Sequence, residues 1–155
     1  MQNIVPGSRP EKDAGYLEMM TAVMFMGGLS RQVVMAKWDG FVAAFEGFDV
    51  DVVAGFTDVD VERLSQDTRI VRYKAKIRAV VDNARHMSEI AEQRGSFRAW
   101  LRGVLESEGV DGAADTLGKS FKYMSAESSR RFLYAVGEDI GPVDDKIRIK
   151  YGPAA

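Results

Sequence analysis

The sequence predicts a single all-α domain. Apolar residues recur at helical spacing through most of the chain, and no segment sustains the period-two alternation of a half-buried strand. Ser, Thr or Asp stands ahead of most apolar runs and glycine follows them, which is the punctuation of helix starts and stops. At 155 residues the chain is long enough to bury a substantial core as one domain. Residues 1–12, with Pro6, Gly7, Ser8 and Pro10, read as a flexible leader, and residues 13–155 as the helical domain.

A first helix starts near Asp13 and runs through the apolar stretch Tyr16 to Met26, ending at Gly27-Gly28. Ser30 caps the next, whose Val34, Trp38, Phe41 and Phe45 recur at helical spacing until Gly47 stops it. Asp49 caps a short turn of helix. Thr57 and Asp60 have capping-box spacing ahead of a helix to Ser65. Arg72 to Arg94 is the longest helix, with Ile77, Val80, Val81, Ala84 and Met87 as its buried stripe. Ser96 caps a helix through Glu106. A loop over Gly109–Gly112 and a short helix near Ala113–Leu117 lead to Ser120. Ser125 caps Ala126–Val136, Gly137 ends it, and beyond Pro142 the segment Val143–Tyr151 makes one last short helix.

Composition narrows the function classes. The absence of cysteine excludes disulfides, thiolate catalysis and cysteine-ligated metals, and a single histidine, His86, leaves no histidine zinc site. No metal or other cofactor is expected. No run is apolar enough to cross a bilayer and no signal-peptide order is present, which reads as a cytoplasmic protein with no membrane partner. The net charge of −2 hides an asymmetry: residues 1–68 carry 5 basic and 11 acidic side chains, residues 69–155 carry 16 and 12. Double-stranded DNA would meet the second half, weakly and with strong salt sensitivity. The methionines Met19, Met20, Met24, Met26 and Met35 read as adaptable core or, left uncovered, as a surface for a protein partner or self-association.

The segment Ile70-Val71-Arg72-Tyr73-Lys74-Ala75-Lys76-Ile77-Arg78-Ala79-Val80-Val81-Asp82-Asn83-Ala84-Arg85 resembles the DNA-3-methyladenine glycosylase I family. So do Phe41-Val42-Ala43-Ala44-Phe45-Glu46-Gly47-Phe48-Asp49 and Asp60-Val61-Glu62-Arg63-Leu64. The resemblance implies a helix-hairpin-helix DNA glycosylase-like fold and cleavage of the N-glycosidic bond of an alkylated base flipped from duplex DNA. It also implies losses. Val23 stands where the family has the glutamate that reads adenine, and Arg31 where its Gly-Leu-Ser-Trp motif has tryptophan. The family's His-Asp-x-Glu-Trp-Gly signature has no counterpart, and its two Cys and two His zinc ligands are absent. Tyr16, Phe25 and Trp38 are replacement pocket aromatics or ordinary core residues.

Ser120-Phe121-Lys122-Tyr123-Met124-Ser125 looks like the family's Gly-Phe-Lys-Phe-Val-Gly hairpin, with Ser120 and Ser125 replacing both glycines. By resemblance that turn holds a DNA phosphate, with Lys122, Arg130, Arg131 and Lys146 as the charges, unless these simply form a solvated face. Asp144, in Val143-Asp144-Asp145-Lys146-Ile147, falls where the wider superfamily places an aspartate that stabilises the developing sugar cation or activates water; Asp139 is the second candidate. Asp144 or Asp145 as a plain helix N-cap is the alternative. Glu127 occupies the place of the lysine of bifunctional enzymes, so lyase chemistry is not expected. The reading is a base-excision repair glycosylase of altered specificity, or a catalytically inactive member of the same fold that binds DNA or protein.

Overall fold

Asp13–Met26 forms α1, the helix around which the others are laid. It is apolar on every side, and a helix of that kind belongs inside. Residues from Gly15 to Met26 are buried without exception, and α2, α4, α6, α7 and α8 all pack on it. Two of its interior polar side chains are bonded: the Thr21 hydroxyl donates to Leu17 O at 2.8 Å, and the Glu18 carboxylate accepts the Trp38 indole N–H at 2.8 Å. Met19, Met20, Met24 and Met26 are therefore core, and α1 offers no methionine surface to a partner.

The computed structural model describes residues 5–153, in which nine α-helices and one 3-10 turn occur without a strand. The helix expected from Ser30 to Phe45 is two, α2 (Arg31–Ala36) and α3 (Trp38–Ala44), parted at Lys37, whose φ of −106° and ψ of 5° are not helical. The break re-aims the second half so that Trp38 reaches Glu18 and stacks on Phe41 and Phe48 at 4.9 and 5.6 Å. The 3-10 turn Glu46–Phe48 follows, with Gly47 at positive φ, then α4 (Val50–Ala54) and α5 (Asp58–Leu64). Thr57 N–H donates to Asp60 at 2.8 Å, as the capping-box spacing required.

α6 (Lys74–Arg94) starts two residues later than expected and buries the stripe Ile77, Val80, Val81, Ala84 and Met87. α7 (Phe97–Ser120) is longer, because the expected Gly109–Gly112 loop shrinks to a single break at Gly109, with φ 71° and ψ −175°. Asp13 of α1 accepts from Phe97 N and Arg98 N at 2.8 and 3.1 Å, so the first helix supplies part of the N-terminal cap of α7. α8 (Ala126–Ala135) packs back on α7, and α9 (Asp145–Tyr151) packs on α8.

Residues 1–4 of the expected leader lie outside the described residues. Gly7 N–H donates to Ala135 O at 2.7 Å, and Arg9 donates twice, at 3.2 Å, to the buried Glu138, which also pairs with Arg102. No described helix is long and apolar enough to cross a membrane.

Candidate nucleic-acid interface

The hairpin between α7 and α8 is closed by packing rather than by glycines at its two ends. Ser120 is the last residue of α7, and Ser125 caps α8 by accepting from Ser128 N at 3.2 Å. The close approach falls at Gly118, where a Cβ would lie 2.9 Å from the Met124 carbonyl. Asn83 of α6 grips the turn from below: it accepts from Lys122 N at 2.8 Å and donates to Lys122 O at 3.1 Å. The clamp leaves Tyr123 at a φ of 58°, in the left-handed region.

Several charges assigned to DNA from the sequence are already engaged. Lys122 Nζ is paired with Asp82 at 2.7 Å, Arg130 with Asp111, and Arg131 with Glu127. Arg131 also lies over the Tyr151 ring at 5.5 Å. Lys146, exposed on α9, has no ion-pair partner among the described residues.

Asp144 is the N-cap of α9, where Oδ1 accepts from Ile147 N at 2.9 Å. It is exposed, and it lines a shallow cleft of about 310 Å³ with Arg130, Arg131 and Pro142. Asp139 is exposed as well and accepts from Gly141 N at 2.9 Å in a tight turn. Neither carboxylate sits in the dry surroundings that would magnify its effect on a developing cation.

The proposed pocket aromatics lie in the interior. Tyr16, Val23, Phe25 and Trp38 are all core, with Phe25 edge-on to Phe41 at 4.8 Å and Tyr16 against Phe97 at 5.3 Å. The Tyr16 hydroxyl is buried without a hydrogen-bond partner among the described residues, and burial raises its pKa above the ordinary phenol value. Arg31 is turned outward and tied to the far end of α9, donating to Ile149 O at 3.0 Å and Gly152 O at 2.7 Å. Asp144, at the other end of α9, and the buried aromatics do not converge on one cavity among those described.

What does converge is a set of cations that sequence spacing did not group. A cleft of about 600 Å³ runs between the α1–α2 turn and α9, lined by Leu29, Ser30, Arg31, Lys146, Ile149 and Lys150. Beside it, Lys76 donates to two carbonyls at the end of α1, Met24 O at 2.8 Å, which also accepts from Gly27 N, and Gly27 O at 3.1 Å. Burial, and after it the charge of Lys150, holds the Lys76 pKa below the ordinary lysine value; burial, and after it Arg131, does the same to Lys150. None of Arg31, Lys76, Lys146 and Lys150 forms an ion pair among the described residues. Cations without an ion-pair partner among the described residues make a face suited to phosphate.

The sequence profile of the methyladenine glycosylase family matches residues 7–136. This chain belongs to that family. DNA-3-methyladenine glycosylase 1 of Escherichia coli is 40% identical over 87 residues, covering 56% of this chain and 46% of the relative. DNA-3-methyladenine glycosylase of Haemophilus influenzae is 34% identical over 58 residues, covering 37% and 31%. The matched region thus spans less than half the length of these curated relatives. A crystal structure of a 3-methyladenine DNA glycosylase I superposes with a TM-score of 0.74 at 27% identity, covering 86% of this chain and 83% of that one. The Staphylococcus aureus 3-methyladenine DNA glycosylase I, at 21% identity, shares the fold with a TM-score of 0.78 over 97% and 90% of the two chains.

Membership of the methyladenine glycosylase family makes the zinc centre implied by the resemblance a fair test. With no cysteine, and with His86 on α6 packed edge-on to Phe121 at 5.1 Å, the residues do not fit one. The family likeness also shows what reading the sequence passed over. Glu18, Lys76, Tyr73 and Tyr123 carry no role in the sequence reading, although Lys76, Tyr73 and Tyr123 lie inside segments that carry the resemblance. The signal for Glu18 was available: a carboxylate inside an otherwise apolar helix must have a buried partner.

Proposed function

We propose that this chain acts in base-excision repair as a DNA-3-methyladenine-glycosylase-like protein. It binds DNA across the face of Arg31, Lys76, Lys146 and Lys150, and hydrolyses the N-glycosidic bond of an alkylated base. The absence of ion-pair partners for those four cations among the described residues is the observation that carries the DNA reading. Family membership supports the chemistry, and Asp144 is the carboxylate assigned to it, with one oxygen capping α9 and a solvent-open cleft before it. Val23 in place of a polar reader argues for a specificity other than that of the relatives. The reaction is monofunctional, since Glu127 pairs with Arg131 and supplies no amine.

A second reading, a DNA-binding member without base release, is favoured by one observation: Tyr16, Val23, Phe25 and Trp38 are shut in the core while Arg31 fastens α9 beside them. Incubation with duplexes carrying alkylated, deaminated and oxidised bases separates the two. Free base released by the wild type and lost in Asp144→Asn establishes the glycosylase and its carboxylate. Binding without release from any duplex establishes the second reading.

A further inference from the structure

Two tyrosines are the exposed aromatic residues among the described residues. Tyr73, in the loop before α6, is 52% exposed, and Tyr123, at the hairpin turn, is 44% exposed. They lie 50 residues apart in sequence yet flank one ammonium: Lys76 Nζ is 5.6 Å from the Tyr73 ring centroid and 5.8 Å from that of Tyr123. With the cation on one side of each ring and half of each residue open to solvent, both present apolar ring surface outward. Tyr123 does so from a φ of 58°, a conformation that tyrosine rarely adopts and that the Asn83 clamp imposes. The cluster adjoins the cationic cleft, for Lys76 donates to Gly27 O and the next residue, Gly28, lines that cleft.

Intact duplex DNA hides its base faces inside the stack and shows only phosphates, sugars and groove edges. Exposed aromatic rings beside unpaired cations match a strand whose bases are free to stack while its phosphates are neutralised. We propose that Tyr73 and Tyr123 clamp an unpaired nucleotide of a DNA strand whose phosphates run along Arg31, Lys146 and Lys150. The protein therefore prefers single-stranded or gapped DNA to intact duplex. This rests on the DNA-binding part of the proposed function and is independent of base release.

The test is fluorescence anisotropy at low salt with three labelled DNAs: a short single strand, its intact duplex, and that duplex with a short gap. Tyr73→Ala and Tyr123→Gly are the variants, glycine being chosen because it suits the backbone of position 123. The expected result is binding of the single strand and the gapped duplex about tenfold tighter than the intact duplex. Each variant should lose about tenfold on the first two DNAs and stay within about twofold on the third. A 2-aminopurine in the gap should be quenched by the wild type and not by the variants. Equal affinity for all three DNAs, or variants that bind the gapped duplex as the wild type does, would overturn the clamp and leave DNA binding standing. No binding to any of the three would overturn the clamp and the cationic-face reading together, while base release in the excision panel is scored separately.

Discussion

α1 and α9, the first and last helices of the described chain, could hardly differ more. α1 is buried from Gly15 to Met26, with Glu18 and Thr21 tied to partners inside the core. α9 has seven residues, buries only Tyr151, and turns Lys146 and Ile149 to solvent. Both begin with an acidic residue, so the first residue does not distinguish them. What differs is the supply of neighbours: five helices pack on α1, while α9 rests mainly on α8 and on hydrogen bonds to Arg31. A helix with many neighbours becomes framework. One with few remains available for binding.

The comparison predicts a steep gradient of mutational cost. Phe25→Ala removes a ring packed against Phe41 and should lower stability by about 3–5 kcal/mol in urea unfolding. Ile149→Ala, at a position 65% exposed, should stay within about 0.5 kcal/mol. If the two cost the same, the contrast between the helices fails. Next in size is Gly118→Ala, which pushes a methyl group against the Met124 carbonyl and should cost about 1–3 kcal/mol. Its loss should be felt first at the hairpin, as faster amide exchange at Lys122 and Tyr123.

Arg31→Ala removes two donors to α9 carbonyls, each worth about 1 kcal/mol. Hydrogen exchange over residues 145–152 should accelerate while α1 stays protected, because the loss is local. Lys146→Ala and Lys150→Ala should each flatten the dependence of log affinity on log salt by roughly 0.9 for every phosphate contact removed. An unchanged slope would take those lysines out of the interface.

The smallest effect is a pH dependence with two opposite signs. The folded pKa values of Lys76 and Lys150 lie below 10.5. As pH rises through those lowered values, the ammonium groups are lost, so DNA affinity falls earlier than free lysines would allow. Over the same window the unfolded chain holds the extra protons, so folding stability rises with pH up to 10.5. Titrating binding and unfolding side by side, with Lys150→Met as the control, checks both signs.

Local chemistry made much of this fold readable. Ser30, Asp49, Ser96 and Ser125 do cap helices, each accepting a backbone N–H within the first turn, because such a bond involves residues only three positions apart. The break at Lys37 was not readable, since it serves the meeting of Trp38 with Glu18, 20 positions away. The interface was harder still. Lys122, Arg130 and Arg131 looked free in the sequence. Asp82 and Asp111 reach the first two from 40 and 19 positions away, and Glu127 reaches Arg131 along its own helix.

By itself, then, the sequence determined the all-helical class, the family and the caps, because each depends on neighbours along the chain or on apolar content. Only the tertiary structure decided which cations remain unpaired and that Tyr73 and Tyr123 share one ammonium. It also settled that Asp144 caps α9 and that the aromatics Tyr16, Phe25 and Trp38 are core. The reason is physical: whether a charge is free, or a ring exposed, depends on what distant segments bring to it.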